Sequence, residues 1–116
     1  MLIRVDPTSG TPIFAQIAAS VHADAAAGRL RAGDRLPSAR DVSESLGVNL
    51  HTVLRAYQQL RDEGLVDMRR GRGAVVTDAV EPLAHLHHDI AALVERARTL
   101  GLAADTLAAL VKENYR

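Results

Sequence analysis

Apolar residues return every three or four positions between Ile13 and Ala25, a spacing that places them on one face of a helix. Thr11 followed by Pro12 suits the N-cap and the first helical position, so we expect the helix to begin there. Gly28 follows the last periodic residue and is expected to end the helix. The pattern therefore predicts one amphipathic helix before residue 28.

Two further helices, separated by a tight turn, are predicted between residues 38 and 64. Ser38 and Asp41 resemble a capping box, with Asp in place of the usual Glu or Gln. Gly47 suits the left-handed residue that ends a helix, and Asn49 suits the N-cap of the next one. Gly64 is expected to end the third helix. The inner face of that helix is expected to carry Val53, Ala56, Tyr57 and Leu60, and its outer face His51, Arg55, Gln58 and Asp62.

Strand-like segments at residues 65–69 and 74–77 flank the sequence Arg70-Gly71-Arg72-Gly73. Two glycines within four residues are typical of a hairpin turn, so we expect a two-stranded wing with a basic tip. The predicted fold is mainly α with a small β-wing. It comprises a winged helix-turn-helix domain, residues 1–78, and a short two-helix C-terminal dimerisation tail, residues 79–116.

The tail is predicted to hold one helix from Glu81-Pro82 to Leu100, before Gly101, and a second at residues 105–115. Apolar residues of the first helix are spaced 3-4-3-4-3, the seam of a heptad repeat. The tail is too short for a core of its own, so this seam must pack on the first domain or on a second copy. A symmetric homodimer is the more economical answer. The expected dimerisation residues are Leu83, Leu86, Ile90, Leu93, Ala97, Leu100, Leu107 and Leu110.

Composition narrows the class of protein. The chain has 116 residues, 14 basic and 14 acidic, so its total charge does not indicate a nucleic-acid partner. Arg supplies 13 of the 14 basic residues, and its planar fork suits phosphates and guanine edges. Without Cys there is neither a disulfide framework nor a thiolate metal site. With one Phe, two Tyr and no Trp, the chain lacks the stacking surfaces that single-stranded nucleic acids need.

The start of the chain shows no signal-peptide pattern, and no apolar run is long enough to span a membrane. We therefore expect the cytoplasm as location and no membrane partner. The alternation from Leu2 to Val5 indicates a short strand or an arm ahead of the first helix.

An outward-facing helix behind a tight turn favours double-stranded DNA as the partner. The major groove of B-DNA, about 12 Å wide, admits an α-helix, and a helix-turn-helix anchors its second helix on the first. We assign His51 and Arg55, one turn apart, to base edges, with Arg55 toward guanine or a phosphate. Leu50 and Leu54 are placed to touch a thymine methyl group. The helix N-terminus at Asn49 favours a phosphate.

The wing tip adds a second contact, because Arg70 and Arg72 can approach the minor groove, where negative potential attracts arginine. Each feature alone has a simpler reading. A Gly-Arg hairpin is by itself only a turn, and Arg55 beside Asp62 is only a solvated helix face. The order of helix, turn, helix and wing is what favours DNA.

A longer motif runs through the same segment: G-D-x-L-P-S-x-R, then L-G-V-N, then T-V-x-x-A-Y-x-x-L-x-x-E-G-L, and finally G-x-G-x-x-V. It resembles the DNA-binding domain of the GntR family of bacterial transcription regulators. The matching residues are Gly33, Asp34, Leu36, Pro37, Ser38, Arg40, Leu46, Gly47, Val48, Asn49, Thr52, Val53, Ala56, Tyr57, Leu60, Glu63, Gly64, Leu65, Gly71, Gly73 and Val76. The resemblance implies a DNA-binding winged helix-turn-helix in which Arg40 matches the family's DNA-contacting arginine. The candidate DNA-binding residues are Arg35, Ser38, Arg40, Asn49, Leu50, His51, Thr52, Arg55, Arg70, Gly71, Arg72 and Gly73.

The short tail and the motif N-x-x-T-V-x-R-A-Y at residues 49–57 resemble the YtrA subfamily. This implies a small dimeric regulator, typically a repressor of an operon that includes ABC-transporter genes. A dimer would set two recognition helices about 34 Å apart on successive turns of a palindromic operator. Ala39, Leu50, His51 and Ala74 depart from the family's frequent residues, so the operator sequence is not transferable.

Two other functions compete with this interpretation. His85, His88 and Asp89 share one helix face and suit zinc, nickel or copper, which would make a metal-responsive regulator. Three ligands from one helix turn, however, rarely enclose a metal. A winged-helix protein-interaction module is the second alternative, because fold does not fix function. No phosphate-binding loop, nucleophile elbow or H-E-x-x-H motif is present, so we expect neither an enzyme nor a cofactor, and any effector is left open.

Overall fold

The computed structural model describes residues 3–115. Over this range the chain forms five helices and a two-stranded antiparallel sheet, which confirms the mainly helical fold with a β-wing. The chain falls into two compact units, the first ending at Ala84 and the second beginning at His85. In chain order the elements are α1 (Ile13–Ala26), α2 (Ala39–Leu46), α3 (Leu50–Asp62), β1 (Val66–Arg69), β2 (Gly73–Val76), α4 (Val80–Thr99) and α5 (Ala104–Glu113).

Helix α1 begins one residue later than the sequence predicts. Pro12 is the N-cap, with an extended ψ of 146°, and no side chain caps the helix. Thr11 belongs to the preceding turn: its backbone N–H donates to Ser9 Oγ at 3.1 Å, and its carbonyl accepts from Gln16 Nε2 at 2.9 Å. The prediction of Thr11 as N-cap is therefore wrong, because its backbone is already tied into that turn.

The tight turn between α2 and α3 forms as its capping residues predict. Ser38 Oγ accepts from the Asp41 backbone N–H at 3.1 Å, and Asn49 Oδ1 accepts from the His51 N–H at 2.8 Å. Gly47 ends α2 with a φ of 68°, in the left-handed region that glycine reaches without strain. Both caps satisfy backbone donors that a helix start leaves unpaired. The turn therefore fixes where α3 starts.

Helix α1, α3 and the wing enclose the core of the first unit. Ile17 and Val21 of α1 and Leu60 of α3 are fully buried in it. Tyr57 is also buried, and its hydroxyl donates to the Pro37 carbonyl at 2.6 Å. Burial raises the pKa of Tyr57 to about 12. The inner face predicted for α3 is thus sealed against the rest of the unit.

The wing is an antiparallel pair in which Val66 lies opposite Val76, and Arg69 opposite Gly73. It therefore lies within one residue of the predicted segments. Three valines of the wing, Val66, Val75 and Val76, are buried, whereas the turn beyond Arg69 is exposed. The wing is fastened to the core at its base and projects at its tip.

The connector at residues 33–36 pairs with β2, which the sequence pattern did not predict. Leu36 N–H donates to the Ala74 carbonyl at 2.9 Å, and Gly33 N–H donates to the Val76 carbonyl at 2.8 Å. Val76 N–H in turn donates to the Asp34 carbonyl at 2.8 Å. The residues that lead into α2 are thereby hydrogen-bonded to the wing.

The segment before α1 is an arm along that helix. No strand is formed by Ile3 to Val5, and Leu2 lies outside the described residues. Ile3 is buried in the core, and Ser20 Oγ of α1 donates to the Arg4 carbonyl at 3.2 Å. Over residues 3–115, no helix combines the length and the apolar character needed to cross a bilayer.

The second unit consists of most of α4 together with α5. Gly101 follows α4 with a φ of 76°, and Ala103 is an N-cap of α5 that offers no side-chain hydrogen bond. Both helices lie within two residues of the predicted bounds. The start of α4 belongs to the first unit, since Val80 and Leu83 pack against its core.

Candidate nucleic-acid interface

The outer face of α3 is exposed along its whole length, as predicted, at His51, Arg55, Gln58 and Asp62. Toward the C-terminal end, Gln58 Nε2 donates to Asp62 Oδ1 at 3.2 Å, so this part of the face is internally paired. Within residues 3–115, the side chains of His51 and Arg55 form no hydrogen bond or ion pair. The donors near the N-terminus of α3 are therefore available to a partner.

Two leucines flank these donors. Leu50 is 37% exposed and Leu54 is 41% exposed, so both present apolar surface beside His51. An exposed leucine at such a position fits a thymine methyl group better than a polar base edge. The structure thus places all the residues predicted to read bases on one exposed part of α3.

The two capping side chains keep a donor each. Ser38 and Asn49 use an oxygen to cap their helices, which leaves the Ser38 hydroxyl hydrogen and the Asn49 side-chain NH₂ to donate. Thr52 is half-buried in the first turn of α3, and its backbone N–H donates to the Asn49 carbonyl at 3.0 Å. Backbone and side-chain donors therefore gather where the helix dipole favours an anion.

Arg40 is exposed near the start of α2. In the described part of the chain its guanidinium has no carboxylate partner, and its carbonyl accepts from Ser43 Oγ at 2.8 Å. α2 packs on α3, so Arg40 is carried by the helix that supports the exposed α3 face. A flexible, unpaired arginine at this place suits a phosphate oxygen.

The wing tip is built as a glycine-assisted turn. Gly71 and Gly73 have φ values of 78° and 72°, and the Arg72 N–H donates to the Arg69 carbonyl at 3.0 Å. Arg70 and Arg72 are exposed on this turn, which leaves both guanidinium groups in solvent. The tip is therefore a pair of cationic side chains on a defined backbone.

Arg35 has a structural task that the sequence did not reveal. Its Nε donates to the Arg72 carbonyl at 2.9 Å, across 37 residues of chain. The side chain therefore reaches from the connector to the wing tip and holds the turn. The two terminal nitrogens of Arg35 are still free to donate to a phosphate.

Phe14 of α1 supports this surface, although the sequence pattern indicated only that it belongs to the apolar face of that helix. Its ring lies under the guanidinium of Arg55, with Arg55 Cζ 3.9 Å from the ring centroid. Helical spacing gave no signal of this contact, because it joins α1 to α3. Only the packing of those two helices brings the two side chains together.

The alternative metal site does not assemble. Among residues 3–115, no group of three or more His, Cys, Asp or Glu side chains is arranged to hold a metal ion. His85, His88 and Asp89, named as its candidate ligands, lie exposed along α4. The shared helix face is thus not enough to make their donor atoms converge.

Comparison with known proteins matches the part of the chain that carries this surface to a known family. The model described as "Bacterial regulatory proteins, gntR family" matches residues 14–76, more than half of the chain. The HTH-type transcriptional repressor YtrA of Bacillus subtilis (strain 168) is 36% identical over 77 residues, which cover 66% of this chain and 59% of that protein. The HTH-type transcriptional regulator Rv1152 of Mycobacterium tuberculosis is 39% identical over 75 residues, 65% of this chain and 62% of that protein. The matched region thus spans about six-tenths of these curated relatives.

A solved structure extends the similarity into the tail. YtrA from Sulfolobus acidocaldarius, described as a GntR-family transcription factor, matches with a TM-score of 0.63 and 36% identity. The match covers 85% of this chain and 99% of that chain. These relatives are named as a transcriptional repressor, a transcriptional regulator and a transcription factor, and the solved one is similar in fold to the structure described above. The chain therefore belongs to the GntR family, and residues 14–76 match the family's winged helix-turn-helix DNA-binding domain.

Proposed function

We propose that this regulator is a sequence-specific repressor that binds a palindromic operator as a homodimer. The observation that carries the proposal is the division of α3 into a sealed inner face and an exposed outer face with unpaired His51 and Arg55. A helix anchored in this way behind a tight turn can enter the major groove. YtrA of Bacillus subtilis, a relative, is named as a repressor, which supports the direction of control.

The phosphate contacts are assigned to donors at the starts of α2 and α3. Ser38, Asn49 and Thr52 supply short donors there, and Arg40 supplies a long cationic one. Such contacts fix the orientation of a protein on DNA but carry no sequence information of their own. They also make affinity fall with salt, because each neutralised phosphate releases counterions.

The base contacts are assigned to the exposed N-terminal half of α3. Arg55 can donate two parallel hydrogen bonds to a guanine, and His51 can donate to or accept from a base edge. Leu50 adds an apolar contact suited to thymine. The wing contributes Arg70 and Arg72, with Gly71 and Gly73 shaping the turn and Arg35 holding it.

The dimer is proposed on the apolar surface of the second unit. A groove of about 810 Å³ runs between α4 and α5, lined mainly by apolar side chains that include Leu86, Ile90 and Leu107. A second copy that packs on this groove would remove its apolar lining from water. Of the residues predicted to form the seam, Leu86 is 47% exposed, Ile90 46%, Leu93 43%, Leu100 73% and Leu110 49%.

Two residues of the predicted seam are less exposed than the others. Ala97 is buried within the second unit, and Leu83 packs on the core of the first. We keep residues 1–78 as the DNA-binding domain and 79–116 as the dimerisation region. Val80 and Leu83 nevertheless extend the first compact unit to Ala84. A two-fold partner on the remaining seam residues would cover the groove and supply the second recognition helix that a palindrome needs.

The regulated genes are proposed from the subfamily resemblance. We assign the protein to the bacterial cytoplasm and to an operon that includes ABC-transporter genes, which a repressor of this type would silence. The function of a whole protein does not follow from its fold, so the target is an assignment to be tested on DNA.

The direct test is binding to a labelled duplex from the upstream region of its own gene, against scrambled competitor, at two salt concentrations. We expect saturable binding that resists the competitor and weakens steeply with salt. Binding that both duplexes abolish equally would reject sequence-specific regulation and leave a protein-interaction module as the better reading.

Matched arginine variants separate the two kinds of contact. Arg40→Ala should weaken binding to all sequences and lower the salt slope by about one, whereas Arg55→Ala should also change base preference. Arg61→Ala is the control and should leave binding unchanged. Arg61 is exposed near the C-terminal end of α3, where it lies 3.9 Å from the Asp62 carboxylate. Equal losses for all three variants on all sequences would reject the assignment of Arg55 to bases.

A further inference from the structure

Arg55 is held in place without being hydrogen-bonded. Its Cζ lies 3.9 Å from the centroid of the Phe14 ring, a distance at which the ring face attracts the cation. Phe14 is half-buried and packs against the core, so the ring itself is fixed by α1. Arg55 is exposed on α3, and the two helices pack on each other.

An aromatic ring is the kind of support that leaves an arginine able to read a base. A carboxylate partner would occupy the N–H groups of the guanidinium and cancel its charge. A ring contacts only the flat face, so the five in-plane N–H donors stay free. Within residues 3–115, Arg55 forms no hydrogen bond or ion pair that would use them.

Other arginines of the first unit are held differently. Arg29 donates its Nε to the Asp24 carboxylate at 2.9 Å, and Arg35 donates its Nε to the Arg72 carbonyl at 2.9 Å. In the described part of the chain, no arginine besides Arg55 stacks on an aromatic ring. Support by a ring is thus confined to the arginine assigned to base reading.

From this geometry we propose that Phe14 is a positioning residue for sequence recognition: it orders the Arg55 guanidinium before DNA arrives, so that operator preference depends on α1. The proposal rests on the proposed function, since it needs Arg55 to read a base. Ordering a long side chain in advance removes an entropic cost of binding. Removing the ring should therefore reduce discrimination at the base that Arg55 reads by roughly two- to tenfold.

The experiment begins by locating that base. Each base pair of an operator half-site is substituted in turn, and the position at which Arg55→Ala loses discrimination is taken as its contact. Phe14→Leu, which keeps apolar bulk but has no ring, should lose part of the discrimination at that same position and keep the salt slope. Phe14→Tyr, which keeps the ring, should behave as the unmodified protein.

A double variant tests whether the two residues act together. In the Arg55→Ala background, Phe14→Leu should cause no further change in base preference, because the group it positions is gone. A uniform loss of affinity at every position, or an effect of Phe14→Leu that persists without Arg55, would overturn the proposal. Circular dichroism checks the fold, and Phe14→Met serves if Phe14→Leu does not fold.

A measurement without DNA separates this inference from the proposed function. NMR relaxation of the Arg55 Nε–Hε group should show restricted motion in the unmodified protein and in Phe14→Tyr, and faster motion in Phe14→Leu. A mobile Arg55 in the unmodified protein would refute the ordering whatever the DNA result. A restrained Arg55 in a protein that prefers no duplex would instead refute the proposed function, and the role in recognition with it.

Discussion

The two units of this chain differ in how far their apolar side chains are buried. In the first unit, leucines, isoleucines and valines from three helices and the wing are buried together, and Leu60 has no exposed surface. In the second unit, Leu86, Ile90, Leu93 and Leu110 of α4 and α5 are 43–49% exposed. The first unit therefore has a buried core of its own, whereas the second leaves apolar surface exposed, which we propose a second copy covers.

The largest expected effect is a loss of stability on truncating a fully buried side chain in the core of the first unit. Leu60→Ala removes a fully buried side chain and should lower the free energy of unfolding by about 2–5 kcal/mol. Leu54→Ala, on the exposed side of the same helix, should cost far less. Urea denaturation of both variants measures the difference, and similar costs would show that the core is less closed than the structure indicates.

The second prediction concerns the open surface of the second unit. Leu93→Asp should weaken a dimer at least about a hundredfold, because an unpaired carboxylate would be buried in an apolar contact. Light scattering over a range of concentrations measures the mass. Ala92→Asp, at an exposed position of α4 that does not line the groove, should leave the dimer intact. A dimer that survives Leu93→Asp unchanged would move the interface elsewhere.

A third prediction tests the contact between α3 and the segment that leads into α2. Tyr57→Phe removes the hydrogen bond to the Pro37 carbonyl and should lower stability by about 1 kcal/mol at neutral pH. In the folded protein the pKa is about 12, above the value of about 10 in an unfolded chain. The stabilising contribution of the neutral phenol is therefore complete below about pH 10 and is lost as the pH rises toward 12.

Alkaline denaturation of the two proteins distinguishes this effect from general loss at high pH. The stability of the unmodified protein should fall more steeply between pH 10 and 12 than that of Tyr57→Phe. Parallel curves would mean that the Tyr57 hydroxyl is not sealed from water.

The smallest effect comes from the helix caps. α2 and α3 start with side-chain caps, whereas Ala103 at the start of α5 provides none. Ala103→Ser should stabilise α5 by about 0.5–1 kcal/mol, because a serine oxygen can accept from a backbone N–H of the first turn. Helix content and melting of the protein measure it, with Ala103→Val as a control that adds bulk but no cap. No difference between the two would show that the missing side-chain cap of α5 does not limit the stability of the second unit.

Most of the fold was predictable because it depends on local signals. Caps at Ser38 and Asn49 and the left-handed glycine at Gly47 determine the turn from a few neighbouring residues. Periodicity placed the sealed face of α3 for the same reason. The start of α1 was misplaced at Thr11, where a turn competed for the same backbone groups.

The candidate site was less predictable, because its supports join distant parts of the chain. Exposure of His51 and Arg55 follows from helical spacing, but the ring under Arg55 comes from α1. The reach of Arg35 to the Arg72 carbonyl and the pairing of the connector with β2 have no local signature either. Only the packed structure brings these groups together.

The pairing of residues 33–36 with β2 has a consequence for how the first unit opens and closes. Because Leu36 N–H and Val76 N–H each donate across that pairing, β2 cannot separate from the connector without also releasing the entry to α2. The Leu36 and Val76 amide protons should then exchange with solvent deuterium with one common free energy of opening, as members of a single cooperative unit. β2 and the start of α2 would then unfold together, with no species in which only one of them has opened.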